Sequence, residues 1–255
     1  MRNLVVYGLG ELGQLYGAAA LRAGYRVTPI TRHSDPHAVL GTLAPDVPIL
    51  VAVAESALEE VLSVLGKARG DSAILLQNEL FPSLWRRHDV TPTVLVPWLL
   101  KKRGTPLLVA RPTPVFGAHA ELVATLHRAL ELPFDVLPHE HALYQALVAK
   151  YAFILTINAL GLLRDRTLGM WLQEDPERVS ALSRETAQLG AVLCETEVDL
   201  ALCERTVVEG MRALHTVAAR GRSAESRVLR ALEQGRRIGL ALPELASTKP
   251  APVPV

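Results

Sequence analysis

The chain has 255 residues, 49% of them apolar and 21% charged, enough to bury the core of one large domain or two modest ones. Its formal net charge is only +1, which offers no electrostatic footprint for nucleic acid or an acidic membrane surface. The two cysteines, Cys194 and Cys203, form no metal-binding pattern and suit a reducing compartment, with a disulfide between them left open.

A short apolar run at 4–7 leads into Gly8-Leu9-Gly10-Glu11-Leu12-Gly13 and then an alanine-rich stretch at 14–23. GxGxxG between a strand and a helix is a dinucleotide-binding signature. Gly8 allows the tight turn, Gly10 lets a pyrophosphate approach the backbone, and Gly13 lets the helix pack close to the strand. The helix N-terminus adds free N–H groups and a partial positive charge. Gly8, Leu9, Gly10, Glu11, Leu12 and Gly13 are therefore candidate cofactor-binding residues. Glu11 and the glycines also interrupt the N-terminus, which does not read as a signal peptide.

Gly24 ends the helix, and a second strand is expected at 25–31. NAD-binding folds usually place Asp or Glu at the end of that strand, to bond the ribose hydroxyls. Here the position holds Arg32, followed by His33 and Ser34. A guanidinium pairs with a 2′-phosphate that a carboxylate would repel, so the residue points to NADP(H) over NAD(H). Pro29 cannot donate to a ladder, and a bulge or a local break in pairing is expected there.

Further strands are expected at 49–53, 73–77, 93–96 and 107–110, with helices at 57–65 and 119–132. Near-continuous apolar strands alternating with helices argue for an α/β fold, a Rossmann-type parallel sheet covered on both faces, over 1–137. After Pro138 the strand signal fades. Helical patterns at 139–163, 175–193, 199–219 and 223–239 predict an all-helical second domain over 138–246. The proline-rich 247–255 reads as a disordered tail. The apolar stretch 151–163 is too short to span a bilayer, so a soluble, cytoplasmic protein is expected. Leucine- and alanine-rich helices of the second domain can bury a homodimer interface, although a monomer needs only one closed core.

Ligands in open parallel sheets bind at the carboxyl ends of the strands. Gln77-Asn78 follows one such end, where Asn78 can bond a nicotinamide carboxamide or a substrate oxygen. The helical domain supplies Lys150 from the apolar segment 146–154, and it is expected to close over the cofactor. A lysine there either faces a cleft, where it can polarise a carbonyl and protonate an alkoxide, or snorkels to the surface. Asn158 lies two turns on, rotated by about 80°. It either borders the same cleft or makes a helix–helix hydrogen bond. Of the eight histidines, His139 and His141 are two apart and splay on a helix. Neither HExxH nor CxxC occurs, so no metal site is expected. The acidic residues around Cys194 and Cys203 read as a solvated helix–loop–helix. Lys101-Lys102-Arg103 reads as a solvated turn or a basic cleft rim. Trp98 and Trp171 read as packing residues.

Taken together, these residues resemble the ketopantoate reductase (2-dehydropantoate 2-reductase) family. Gly8, Gly10 and Gly13 match its glycine loop, and Arg32 its 2′-phosphate ligand. Leu76-Gln77-Asn78 resembles its Gln-Asn-Gly segment, with Glu79 in place of the glycine. Pro114-Val115-Phe116-Gly117 resembles its strand-to-helix turn, and Lys150 to Leu160 its catalytic-helix motif. Asp175-Pro176-Glu177 and Glu185 fall where the family has a similar helix start and glutamate. The chain departs from the pattern at Ile154, which replaces the first asparagine of that helix, and at Ala54, where a lysine is common. The late Ser-Met-x-Gln-Asp segment has no clear equivalent, and Glu225 lies near the glutamate that follows it. The resemblance implies an NADPH-dependent reductase of a 2-keto acid or related carbonyl, and a place in pantothenate biosynthesis. Lys150 would be the catalytic lysine and Asn158 the second asparagine. The departures keep a rival open, a non-catalytic NADP(H)-binding sensor or interaction protein on the same fold.

Overall fold

The computed structural model describes residues 2–101 and 104–248. Lys102 and Arg103 of the basic triplet, and 249–255 of the tail, lie outside the described residues. The chain divides into two compact units, one up to Leu143 and one from Tyr144 onward.

The first unit alternates strand and helix. It runs β1 (Asn3–Tyr7), α1 (Glu11–Arg22), β2 (Arg26–Ile30), α2 (Pro36–Gly41), β3 (Ile49–Val51), α3 (Glu55–Arg69), β4 (Ala73–Leu75), α4 (Pro82–Arg86) and β5 (Thr93–Leu95). Then follow β6 (Leu99–Leu100), β7 (Leu108–Val109), β8 (Thr113–Phe116), α5 (Ala120–Ala129) and β9 (Phe134–Val136). Seven strands form one sheet in the order β2-β1-β3-β4-β5-β8-β9. Pairing is parallel from β2 through β5 and between β8 and β9, whereas β5 and β8 run antiparallel.

Two expectations about this sheet are corrected. The segment 107–110 does not join it: β7 pairs only with β6, as a separate two-stranded ribbon. Leu108 is 38% exposed, so the segment lacks the two-sided burial that an interior parallel strand requires. Its expected place is taken by β8 and β9. Pro29 causes no bulge either. It pairs in register opposite Val6, on a strand at the edge of the sheet. The alternate residues Arg26 and Ile30 face β1, Arg26 donating to the Arg2 carbonyl and Ile30 accepting from Gly8 N–H. Pro29 therefore turns its missing donor outward, where no ladder partner exists.

The core of this unit gathers Leu4, Val6, Leu50, Ile74, Leu95 and Val115 from successive strands beneath Tyr16, Ala19 and Ala20 of α1 and Leu126 of α5. Small residues on α1 let it lie close to the sheet. The Tyr16 hydroxyl and His127 Nε2 meet at 2.9 Å, a buried polar link between α1 and α5.

The second unit is helical. Its elements are α6 (Glu140–Leu163), which begins in the first unit, α7 (Leu168–Glu174), α8 (Pro176–Leu193), α9 (Leu200–Ala213), α10 (Ala224–Arg237) and α11 (Pro243–Ala246). The starts are set by side-chain caps. Asp175 accepts from Arg178 N–H ahead of Pro176, and Asp199 accepts from the N–H groups of Ala201 and Leu202. The helix α6 begins well before the apolar stretch 151–163, giving 24 residues, and by length and composition it could cross a membrane. Because 72% of its apolar window is buried within the protein, it is a core helix. His139 precedes α6 rather than sitting on it. Its Nδ1 accepts from Ala142 N–H at 3.1 Å, and its ring stacks on His141 instead of splaying away. Cys194 and Cys203 are both free and buried, and burial pushes their thiols up to about 12 and about 11.

Candidate active site

The glycine loop follows the carboxyl end of β1 and leads straight into α1. Gly8 has φ +96°, and a Cβ there would lie 2.7 Å from the Ala52 carbonyl oxygen. At Gly13 a Cβ would run into the Gly8 carbonyl itself. These two glycines are demanded by the protein's own packing. Gly10 is different. It is the N-cap of α1, and a Cβ there would meet nothing within 4 Å. Its side faces open space, the approach a pyrophosphate needs. No side chain caps α1, so the N–H groups of Glu11, Leu12 and Gly13 are left for a ligand or water. Gln14 Nε2 donates to the Leu9 carbonyl at 2.8 Å and holds the loop in place.

Beside the loop lies a cleft of about 770 Å³ at the carboxyl ends of β1, β2 and β3, lined by Gly8, Leu9, Gly10, Arg32, Ser34 and Ala54 among others. The chain leaves β2 through a tight turn in which Thr31 N–H donates to Ser34 Oγ at 3.0 Å and Ser34 N–H donates to the Thr31 carbonyl. That turn sets exposed Arg32 on the cleft, with its Nε donating to His33 Nε2 at 3.2 Å. Glu60 also lines the cleft, and its charge adds to burial in pushing the Tyr7 phenol up. The open side at Gly10, the uncapped helix start and the arginine at the end of β2 fit a dinucleotide phosphate.

Asn78 stands apart from this lining. It follows β4, and its Nδ2 donates to Glu55 Oε1 at the start of α3, at 3.4 Å. Its neighbour Gln77 is buried and ties the strand ends together. Gln77 Nε2 donates to the Val51 and Val53 carbonyls, and its Oε1 accepts from Leu76 N–H.

In the second unit Lys150 is 4% exposed, in the middle of α6. Its Nζ lies 5.4 Å from the centre of the Phe153 ring. Burial, joined by a smaller contribution from the charge of Arg227 on α10, lowers its pKa to about 7. A lysine so placed changes protonation near neutrality. Asn158 faces a loop. Its Nδ2 donates to the Ile154 carbonyl at 2.6 Å, and its Oδ1 accepts from Gly221 N–H at 3.2 Å. Ile154 is half-buried one turn from Lys150. Glu185 is engaged by backbone: its two oxygens accept from the N–H groups of Leu245 and Glu244 and so cap α11. Burial raises its pKa against those hydrogen bonds. Glu225 is exposed in the first turn of α10. Arg227 carries no sequence signal of its own; its charge acts on Lys150 from a separate helix, α10. Among the described residues, no three His, Cys, Asp or Glu side chains gather as a metal would require.

No protein-family model matches the sequence, and no curated protein matches it by sequence. Solved structures do match in shape. A 2-dehydropantoate 2-reductase from Methylococcus capsulatus superposes with a TM-score of 0.66 at 17% identity, over 96% of this chain and 94% of that one. The fold is that of the 2-dehydropantoate 2-reductases. A dimeric ketopantoate reductase from Staphylococcus aureus gives a TM-score of 0.61 at 18% identity, over 96% of each chain. D-mandelate dehydrogenase in complex with NADH gives 0.66 at 14% identity, again over 96% of each chain. The ketopantoate reductase fold thus spans nearly the whole of both units.

Proposed function

We propose that the chain is a nicotinamide-dependent reductase of a 2-keto acid or related carbonyl, with NADP(H) as its cofactor. The observation that carries this reading is Lys150, a lysine held inside a core helix with its pKa brought down to about 7. An amine in that state donates and regains a proton at neutral pH. The structural neighbours support the reaction class: two are ketopantoate reductases, and a third is a dehydrogenase solved with NADH.

The glycine loop would hold the pyrophosphate through Gly8, Leu9, Gly10 and the first N–H groups of α1, Glu11, Leu12 and Gly13. Arg32 would pair with the 2′-phosphate. A nicotinamide held there would supply the hydride. Lys150 hydrogen-bonds the carbonyl oxygen, stabilises the charge that develops on it and gives it a proton. Gln77 keeps the ends of β3 and β4 in register beneath the cofactor segment, and Asn78 reaches the carboxamide or a substrate oxygen once released from Glu55. Asn158 acts as a positioning residue: it fixes the 220–222 loop. The protein is read as cytoplasmic and as a homodimer, the latter by analogy with the dimeric neighbour.

One observation favours the rival reading. The Ile154 side chain offers no hydrogen bond and the Asn158 amide is already committed, so two polar contacts for a substrate are absent from α6. A non-catalytic NADP(H)-binding protein would show the same feature. The test is NADPH oxidation with a panel of 2-keto acids, ketopantoate included, by wild-type protein and K150A. Turnover that disappears in K150A supports the reductase. NADPH binding without turnover on any member of the panel favours the sensor.

A further inference from the structure

The neighbouring parallel strands β2, β1 and β3 begin side by side, so the residues at their starts converge. Arg26 N–H donates to the Arg2 carbonyl at 2.8 Å, and Val5 N–H donates to the Pro48 carbonyl at 2.9 Å. At these starts, beside the first turns of α5, lies a cavity of about 400 Å³ lined by Arg2, Asn3, Tyr25, Asp46, Pro48 and Leu122 among others. It is separate from the cofactor cleft. Asn3 at the start of β1 lines the cavity, whereas Tyr7 at the end of the same strand lines the cleft, about 13 Å along an extended backbone.

The polar groups of this cavity are held in place but not used. Arg69 donates to the carbonyls of Leu40, Leu43 and Ala44, and Ser72 Oγ donates to the Pro45 carbonyl at 2.7 Å, so the loop that carries Asp46 is staked down. Among the described residues neither the Asp46 carboxylate nor the Arg2 guanidinium makes a hydrogen bond or an ion pair. Tyr25 is only 6% exposed, yet its hydroxyl also has no hydrogen-bond partner among the described residues and is not sealed by protein. A largely buried hydroxyl in that state gains from a polar partner that can enter. Glu121, the other carboxylate on the lining, is already taken by Arg128 at 2.7 Å.

A cation and a carboxylate thus share one small recess with no ion pair between them. A ligand that carries both charges satisfies both at once. An inorganic anion would meet two carboxylates here, and a metal ion would meet a single free one, so neither suits the set. The rest of the lining includes Pro48, Leu122 and the buried Val47, which suit an aliphatic group. We propose that the cavity is a second small-molecule site, for a free α-amino acid with an aliphatic side chain. Arg2 receives the carboxylate, with the Tyr25 hydroxyl donating to one of its oxygens. Asp46 receives the ammonium, and the aliphatic group lies against Leu122 and Pro48. The site stands apart from the reductase reading, because no residue lines both the cavity and the cofactor cleft.

The test is calorimetric titration of the full-length protein with L-leucine, with L-leucinamide, which lacks the carboxylate, and with 4-methylpentanoate, which lacks the ammonium. L-Leucine should bind at least about tenfold more tightly than either. R2Q should weaken L-leucine by about tenfold or more and leave L-leucinamide within about twofold. D46N should weaken L-leucine as strongly and leave 4-methylpentanoate within about twofold. Y25F should weaken L-leucine by about threefold to tenfold. Arg2 and Asp46 are exposed, so R2Q and D46N should keep the wild-type unfolding midpoint. Saturating NADPH should leave L-leucine affinity unchanged. No L-leucine binding up to about 10 mM, equal affinity for the three compounds, or an affinity untouched by R2Q and D46N overturns the proposal. Competition by NADPH also overturns it, by placing the amino acid in the cofactor cleft.

Discussion

Asn158 and Gly221 are fitted to each other. The Asn158 Oδ1 accepts from Gly221 N–H at 3.2 Å, and a Cβ on Gly221 would come within 2.6 Å of that same oxygen. The pair pins the segment leading into α10 to the C-terminal half of α6. Asn158→Ala should destabilise the protein by about 1–3 kcal/mol, the usual cost of leaving a backbone donor without its partner. Gly221→Ala should destabilise wild type clearly but cost much less in the Asn158→Ala background, where the opposing oxygen is gone. Denaturant unfolding of the two single variants and the double variant measures this coupling. Additive losses would contradict it.

The glycines of the loop should separate by what each one is close to. Gly13→Ala drives a methyl into the Gly8 carbonyl, so both the unfolding midpoint and NADPH affinity should fall. Gly10→Ala meets open space in the protein alone. Its unfolding midpoint should be unchanged, while NADPH binding weakens by about tenfold or more because the methyl lies in the path of the phosphates. Thermal melts alongside fluorescence titration of NADPH check both. Equal effects of the two substitutions on stability would be the contrary result.

Arg32 should decide cofactor preference. Arg32→Ala should weaken NADPH by about ten- to a hundredfold and NADH by no more than about threefold, since only NADPH carries the 2′-phosphate. A parallel loss for both cofactors would remove Arg32 from phosphate recognition.

The buried lysine makes a paired prediction about pH. Its folded pKa, about 7, lies below the ordinary lysine value of 10.5 that the unfolded chain takes. Between those values the unfolded state binds more protons, so stability should rise with pH from about 7 toward 10, and the penalty of the buried charge is fully present below 7. Lys150→Met should be the more stable protein at pH 6 and lack that rise. Activity should run the other way. Reduction needs the protonated amine, so kcat should fall as pH rises through about 7, and chemical denaturation across pH together with a pH–rate profile tests both arms.

Much of the first unit was legible because glycine sterics and apolar strands leave a local imprint. Gly8 and Gly13 are required by contacts within a few residues or with the next strand, and β1 through β5 read directly from their apolar runs. The short strands β8 and β9 were not legible in the same way. Phe134–Val136 is largely exposed, and Thr113–Phe116 contains a proline, so neither carries a buried-strand pattern. Leu107–Ala110 carried that pattern and formed a side ribbon instead. Pro29 looked like a break only because sequence does not reveal which strand is the edge. In the helical unit Lys150 stood out as a charge in an apolar run. Arg227 had no such contrast, and the use of Asn158 as a loop anchor depends on a glycine 63 residues away.

The central claim is that Lys150 performs proton-coupled reduction of a carbonyl. It is tested most directly by following nicotinamide absorbance as purified protein meets NADPH and ketopantoate, with K150A assayed in parallel. The account predicts steady NADPH oxidation by wild type and a loss of about a thousandfold or more in K150A with NADPH affinity unchanged. Equal turnover in K150A would contradict it.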